Sequence, residues 1–318
     1  MKKMTGIIAM AVLSSAAFAN TIVPETSRDG KTKNASVIAT TGQMRTFVAG
    51  EYNSTDLETD TTPAIKDEVT NMNLYGAWSN KMFSVEADLN MADDNDTDVN
   101  TYGVQAAYRI NKQFGLGLGY TMVDTDPNSE DTTLEIAGSY NMNDLVIGAS
   151  FAIVSNDNGT VDGSHNRLTL GVGSNANNMS WEAGLVFDLE EKDDDITSAS
   201  RTKLFAGATK VINNIEFDGD ITYTTGDNTV AGGDYTKYTI DFDAEFLVGK
   251  MFYITPGLAY SNEDEDGAET TKFDLSADFG YRANKIDATF GIDYTVAGES
   301  SNVDFDGMAW KVNVAYNF

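Results

Sequence analysis

From Met44 onward the chain alternates apolar and polar residues with a period of two, in segments of about ten residues separated by polar runs. Residues 83–91 show it most plainly: Phe83, Val85, Ala87, Leu89 and Met91 alternate with Ser84, Glu86, Asp88 and Asn90. Residues 114–122 set Phe114, Leu116, Leu118, Tyr120 and Met122 against Gly115, Gly117, Gly119 and Thr121. Residues 179–189 set Met179, Trp181, Ala183, Leu185, Phe187 and Leu189 against Ser180, Glu182, Gly184, Val186 and Asp188. Successive side chains of a strand point to opposite faces, so each segment has one greasy face and one polar face. The pattern predicts an all-β chain of about sixteen strands, near residues 42–53, 69–79, 82–92, 99–111, 113–123, 132–142, 144–154, 165–175, 178–189, 200–212, 215–225, 235–248, 251–260, 271–282, 285–296 and 305–318. Phe47 and Phe205 blur the alternation of two of these. Pro256 lacks the amide hydrogen that a ladder needs, so a bulge or a local break is expected there. The pattern contains no helical domain and no linker between domains.

The connections alternate too. Tight turns (Ser79-Asn80-Lys81, Asn111-Lys112, Met142-Asn143, Ala176-Asn177, Asn213-Asn214, Gly249-Lys250, Asn284-Lys285) are interleaved with longer acidic runs such as Asp93-Asp94-Asn95-Asp96 and Asp193-Asp194-Asp195. The greasy faces carry Trp78, Tyr108, Phe114, Tyr140, Phe252, Tyr281 and Tyr316 beside the tight turns, and Tyr52, Tyr102, Tyr223, Tyr238, Tyr260 and Tyr294 towards the longer loops. A soluble sandwich also needs alternation, but it rarely keeps one end short-turned over so many hairpins.

Charge and composition narrow the function. The chain has a formal net charge of −28, which disfavours nucleic acid as a partner. At 41% hydrophobic and 10% aromatic residues it carries too much apolar material for a disordered acidic protein. With no cysteine and the single histidine His165, thiol catalysis, disulfides, cysteine-based metal sites and a His-rich metal centre are excluded. Lys2 and Lys3 precede an apolar stretch from Ile7 to Leu13 and small residues ending in Ala17-Phe18-Ala19, the form of a signal-peptidase site. That stretch is shorter than the roughly 20 residues a spanning helix needs. Residues 1–19 are therefore expected to be an export signal, residues 20–41 a polar N-terminal segment, and residues 42–318 a barrel. The polar segment, with Glu25, Arg28, Asp29, Lys31 and Lys33, either hangs in the periplasm or lies inside the barrel, and a loosely held tail is the preferred expectation.

The chain ends on Trp310, Val312, Val314, Tyr316 and Phe318, alternating to the last residue. An aromatic C-terminus on a final amphipathic strand, after an export signal, resembles the closing strand of bacterial outer-membrane β-barrels, and the strand count resembles porins. Short turns at one end and long loops at the other fit the same class. The resemblance implies a transmembrane antiparallel up-and-down barrel in the bacterial outer membrane. It also implies outer-membrane lipid and lipopolysaccharide around the barrel and recognition of Phe318 by the barrel-assembly machinery; it leaves a homotrimer open. General porins fold one long loop into the bore, whereas no loop here looks longer than about 14 residues.

Strand number sets bore, and about sixteen strands leave an aqueous channel. Reading each polar face as lumenal lines the pore with Glu51, Glu86, Asp88, Glu135, Glu182, Asp188, Glu216, Asp218, Asp220, Asp241, Asp243, Glu245, Asp274, Asp278, Asp287 and Asp293. The matching bases are Arg45, Arg109, Arg167, Arg201, Lys203, Lys237, Lys272, Arg282 and Lys311. Such charges are costly against lipid, and carboxylate rings favour cations. The expected function is passive diffusion of small hydrophilic solutes with a weak preference for cations. The alternative is a structural barrel whose acidic outer loops make surface contacts or bind divalent ions. Arg167, Asp188, Arg201 and Lys203 are expected to meet near one mouth.

Other signals are weaker. Asn262-Glu263-Asp264-Glu265-Asp266-Gly267 fits the start of a calcium loop, but Phe273 stands where a bidentate glutamate belongs, so a solvated acidic loop is expected and no metal is assigned. His165 has no nucleophile motif beside it and reads as a polar residue of the pore mouth. Gly115, Gly117 and Gly119 are followed by no helix; they are expected to leave room in the lumen and not to hold phosphate. No catalytic residue and no cofactor is expected.

Overall fold

The computed structural model describes residues 46–59, 66–94, 97–125, 129–157, 162–176, 179–189, 192–193, 196–197, 200–227, 233–265, 267–283, 285–300 and 303–318. The expected export signal, the polar segment 20–41 and Arg45 lie outside the described residues. The strands are β1 Thr46–Thr59, β2 Lys66–Ser79, β3 Phe83–Asp94, β4 Thr97–Arg109, β5 Phe114–Thr125, β6 Ser129–Met142, β7 Leu145–Asp157, β8 Asp162–Ala176 and β9 Met179–Leu189. A two-residue pair, β10 Lys192–Asp193 and β11 Ile196–Thr197, follows within one loop. Then come β12 Arg201–Ile212, β13 Ile215–Asp227, β14 Asp234–Val248, β15 Phe252–Glu265, β16 Ala268–Ala283, β17 Ile286–Ser300 and β18 Val303–Asn317.

All but β10 and β11 form one closed barrel of sixteen strands, each antiparallel to its sequence neighbours. It closes where β1 pairs with β18, from Phe47 opposite Asn317 to Thr59 opposite Phe305. Closure leaves no open edge, so the strands pair their backbone groups within one sheet, as a bilayer demands.

The outer face is greasy over its whole circumference. Leu116, Leu118 and Ile136 are 51%, 60% and 58% exposed, and Val48, Phe151, Leu204, Ile221 and Leu275 are exposed with them. A continuous belt of this kind far exceeds the apolar patches of a water-soluble monomer, and it is matched by hydrocarbon. Aromatic pairs border it at both rims. Phe83 and Tyr108 (ring centroids 4.9 Å apart), Phe114 and Tyr140 (4.7 Å) and Phe252 and Tyr281 (5.3 Å) lie on the short-turn side. Tyr52 and Trp310 (5.2 Å) and Tyr238 and Tyr260 (5.6 Å) lie towards the loops.

The short turns are made by asparagine and glycine for local reasons. Asn80 Oδ1 accepts the amides of Met82 (2.8 Å) and Phe83 (2.9 Å), and Asn111 Oδ1 those of Gln113 (2.7 Å) and Phe114 (3.0 Å). Asn143 and Asn213, in two-residue hairpin loops, adopt φ of 59° and 57°, and Gly249, in the three-residue loop 249–251, adopts 80°, all in the left-handed region that such tight turns use. At Pro256 the ladder to β14 lapses between the Asp243–Gly257 and Phe246–Ile254 pairs with no change of register, while Pro256 stays opposite Ala277 of β16. The register shifts fall elsewhere, between Phe273 and Asp274 and between Thr295 and Gly298.

Candidate functional site

Residues opposite one another in an antiparallel ladder share a face, so the register assembles the inner wall strand by strand. Three carboxylate pairs stand directly opposite across β13 and β14: Glu216 with Glu245, Asp218 with Asp243, and Asp220 with Asp241. Asp241 and Asp243 are exposed to water although they point into the barrel. Next in the wall, β16 contributes Asp274 and Asp278, β17 contributes Asp287 and Asp293, and β18 contributes Lys311.

The bases on this side hold particular carboxylates. Arg282 donates to Glu245 through Nη1 (3.1 Å) and Nη2 (3.2 Å) and to Asp287 through Nε (2.5 Å), and its guanidinium lies 4.5 Å from the ring centre of Tyr253. Tyr253 in turn donates to Asp287 at 2.7 Å. Lys311 Nζ stands 3.1 Å from Asp278, and Lys272 Nζ 2.9 Å from Asp274. Asp218 accepts from Thr209.

A second group gathers at the long-loop rim. Arg167 Nε donates to Asp188 at 2.6 Å, His165 Nε2 is 3.7 Å from the same carboxylate oxygen, and Arg201 of β12 pairs in register with Asp188 of β9. Lys203 follows two positions down the inner face of β12. The Arg201 guanidinium sits 3.8 Å over the Tyr235 ring; Tyr235 donates to Glu263 (2.8 Å), which Lys237 also pairs at 3.0 Å. Arg167, Asp188, Arg201 and Lys203 thus share one end and one face.

The remaining inner residues are dispersed. Glu86, Asp88, Glu135 and Glu182 lie opposite Gln105, Gly103, Gly119 and Gly173. Glu51 accepts from Asn313 Nδ2 at 3.1 Å. Arg109 is spent on its own turn, donating to the Asn111 carbonyl at 3.1 Å. Asn262 to Glu265 belong to β15 and pair with β16, so the stretch expected as a solvated acidic loop is strand, with alternate side chains on opposite faces. Among the described residues no cluster of three or more acidic or histidine side chains is arranged to hold a metal.

Sequence reasoning missed Tyr235, Tyr253, Phe205, Glu263 and Asp131 on this wall. Ending a strand at residue 260 hid Glu263, although Tyr253, Thr255, Gly257, Ala259 and Ser261 already carried the period to it. Asp131, bonded to Asn156 at 2.8 Å, was hidden by starting a strand at residue 132.

Solved structures share this fold. CdiB from Acinetobacter baumannii superposes with a TM-score of 0.61 at 6% identity, over 85% of this chain and 60% of its own, so this chain spans less than two thirds of that protein. A bacterial polysaccharide outer membrane secretin matches with a TM-score of 0.53 at 12% identity, over 87% of this chain and 99% of its own. An anion-selective porin from Comamonas acidovorans matches with a TM-score of 0.50 at 10% identity, over 87% of this chain and 100% of its own. No protein-family model matches the chain, and no curated protein matches it in sequence. The architecture is that of bacterial outer-membrane β-barrels. Within that class it resembles the porins and channels, and at these identities the likeness is one of fold alone.

Proposed function

We propose that this chain is a porin-like channel of the bacterial outer membrane, through which small hydrophilic solutes diffuse passively with a weak preference for cations. The observation that carries the reading is a closed sixteen-stranded barrel in which Asp241 and Asp243 are inward-facing and yet exposed to water. Sixteen strands enclose more space than side chains fill. The fold also hosts an anion-selective porin, so the sign of selectivity has to come from the lining. Here the lining is dominated by carboxylates on β13, β14, β16 and β17. Screening limits them: the Debye length is about 8 Å at physiological ionic strength, and the middle of a wide bore stays close to bulk.

The reading is non-enzymatic and needs no cofactor. Lipid and lipopolysaccharide are the partners of the greasy belt. The barrel-assembly machinery is the partner of the last strand, where Phe318 packs edge-on to Tyr316 at 4.9 Å and its amide donates to the Thr46 carbonyl at 2.9 Å. A homotrimer is the assembly that porins would suggest. Single-channel recording of the purified full-length protein in planar bilayers tests the proposal. Discrete conductance steps are expected, and a bilayer that stays silent after verified insertion would favour a purely structural barrel.

A further inference from the structure

Four inward-facing aspartates stand opposite a glycine of the next strand. Asp88 pairs with Gly103, Asp220 with Gly207, Asp243 with Gly257 and Asp278 with Gly291. In each case the carboxylate lies flat across the space that a side chain on the glycine would occupy. A β-carbon on Gly103 would stand 2.7 Å from Cγ and Oδ2 of Asp88 and closer still to Oδ1. One on Gly207 would stand 3.2 Å from Cγ of Asp220, and one on Gly257 3.1 Å from Cγ of Asp243, again with Oδ1 nearer. On Gly291 it would meet Asp278 and, at 2.8 Å, Cγ of Lys311.

The four pairs share one level. Asp88 and Asp220 lie five positions after Phe83 and Ile215, where their strands begin; Asp243 and Asp278 lie five positions before Val248 and Ala283, where theirs end. Each is therefore about 16 Å along its strand from the short-turn rim, at about 3.3 Å per residue. On the facing part of the wall, Gly119, Ser150 and Gly184 lie five positions in from Phe114, Leu145 and Met179. Glycine weakens a strand interior and commonly marks close approach of another group. Here the approaching group is the neighbour's carboxylate.

We infer that Gly103, Gly207, Gly257 and Gly291 are recesses that hold Asp88, Asp220, Asp243 and Asp278 against the wall, so that these glycines set both the width and the selectivity of the bore at mid-depth. The inference rests on the channel reading. With the carboxylates laid flat, a hydrated cation passes without shedding water, and the wall attracts it without binding it. A methyl group in a recess swings the carboxylate towards the axis, because the aspartate side chain turns about its own bonds more readily than the strands part. The bore then narrows and its charge moves nearer the permeating ion.

The test uses the full-length protein with Gly103→Ala and Gly207→Ala, singly and together, and lipid-facing Gly138→Ala as control. A β-carbon on Gly138 meets only ordinary contact, with Leu116 Cδ2 at 3.7 Å. Heat-modifiable gel mobility reports folding, and two sites on separate strands keep the test alive if one variant fails to form a barrel. Lower single-channel conductance is expected in both recess variants. The potassium-to-chloride permeability ratio should rise roughly two-fold as carboxylates come within a Debye length of the axis, with Gly138→Ala unchanged. Folded recess variants with wild-type conductance and selectivity would overturn the inference. A wild-type barrel that does not conduct would overturn the channel reading instead. The recess is then decided by the rate at which a bulky water-soluble thiol reagent modifies Asp88→Cys, the only thiol in the chain. That rate should rise several-fold when Gly103→Ala is added, and an unchanged rate would refute the recess.

Discussion

The inner faces of β5 to β8 and of β13 to β16 are built on the same pleat and register, yet they are finished differently. On the first, Gly115, Gly117, Gly119, Ala137, Ser139, Ser150, Ala152 and Thr169 form a wall of small side chains with Glu135 among them; Ser150 is 5% and Thr169 1% exposed. On the second, carboxylates face one another across strands, with Arg282 holding Glu245 and Lys311 standing beside Asp278. One side of the bore is thus lined mostly by small neutral side chains and the other by charge. The field inside the barrel is therefore lopsided.

Arg282 holds the charged wall together near the short-turn rim. Its two carboxylate partners are well shielded, with side chains 12% and 9% exposed. Removing one member of a buried ion-pair network costs about 3–5 kcal/mol, so Arg282→Ala should lower the urea midpoint of the folded barrel sharply, as read by tryptophan fluorescence. Next in size is the exchange of Glu216, Asp218, Asp220, Asp241, Asp243 and Glu245 for their amides. It should carry the potassium-to-chloride permeability ratio towards one. The same exchange should lower stability, because Glu245→Gln weakens the grip of Arg282 by more than the roughly 0.2–1 kcal/mol recovered from each like-charged cross-strand pair.

The mildest change runs the other way. Thr121 and Thr133 face each other across β5 and β6 on the small wall. Replacing both with glutamate should increase cation preference by less than the six amides diminish it, and should destabilise by about 0.2–1 kcal/mol. A larger shift from this pair than from the six amides would show that the charged wall does not dominate.

Much of the barrel was legible because a two-sided strand writes its burial into every second residue. All sixteen barrel strands and their antiparallel order followed from that period, and the turns at Asn80, Asn111, Asn143 and Asn213 from the residues between the segments. The loop-side ends were less legible. β1 runs to Thr59 and β15 to Glu265, beyond the predicted 53 and 260, because hairpins that continue past the greasy belt keep their hydrogen bonds but lose the apolar alternation. Phe47 and Phe205 broke the pattern for another reason. Phe47 turns inward onto Ala49, Ala77 and Ala315 beside Tyr75, and Phe205 lies over Gly184, so both are inner-wall packing and not lipid contacts. Which acid meets which base depends on register, which periodicity does not specify. Hence the grasp of Arg282 on both Glu245 and Asp287 emerges only from the fold, whereas the gathering of Arg167, Asp188, Arg201 and Lys203 followed from strand direction alone.

Whether the lopsided acidic wall lines a conducting bore is read from the reversal potential of the wild-type protein across a KCl gradient. Potassium should be favoured, more strongly at 0.1 M than at 1 M salt, because the Debye length falls from about 10 Å to about 3 Å over that range. Chloride preference, or a potassium preference that does not change with salt, would contradict the account.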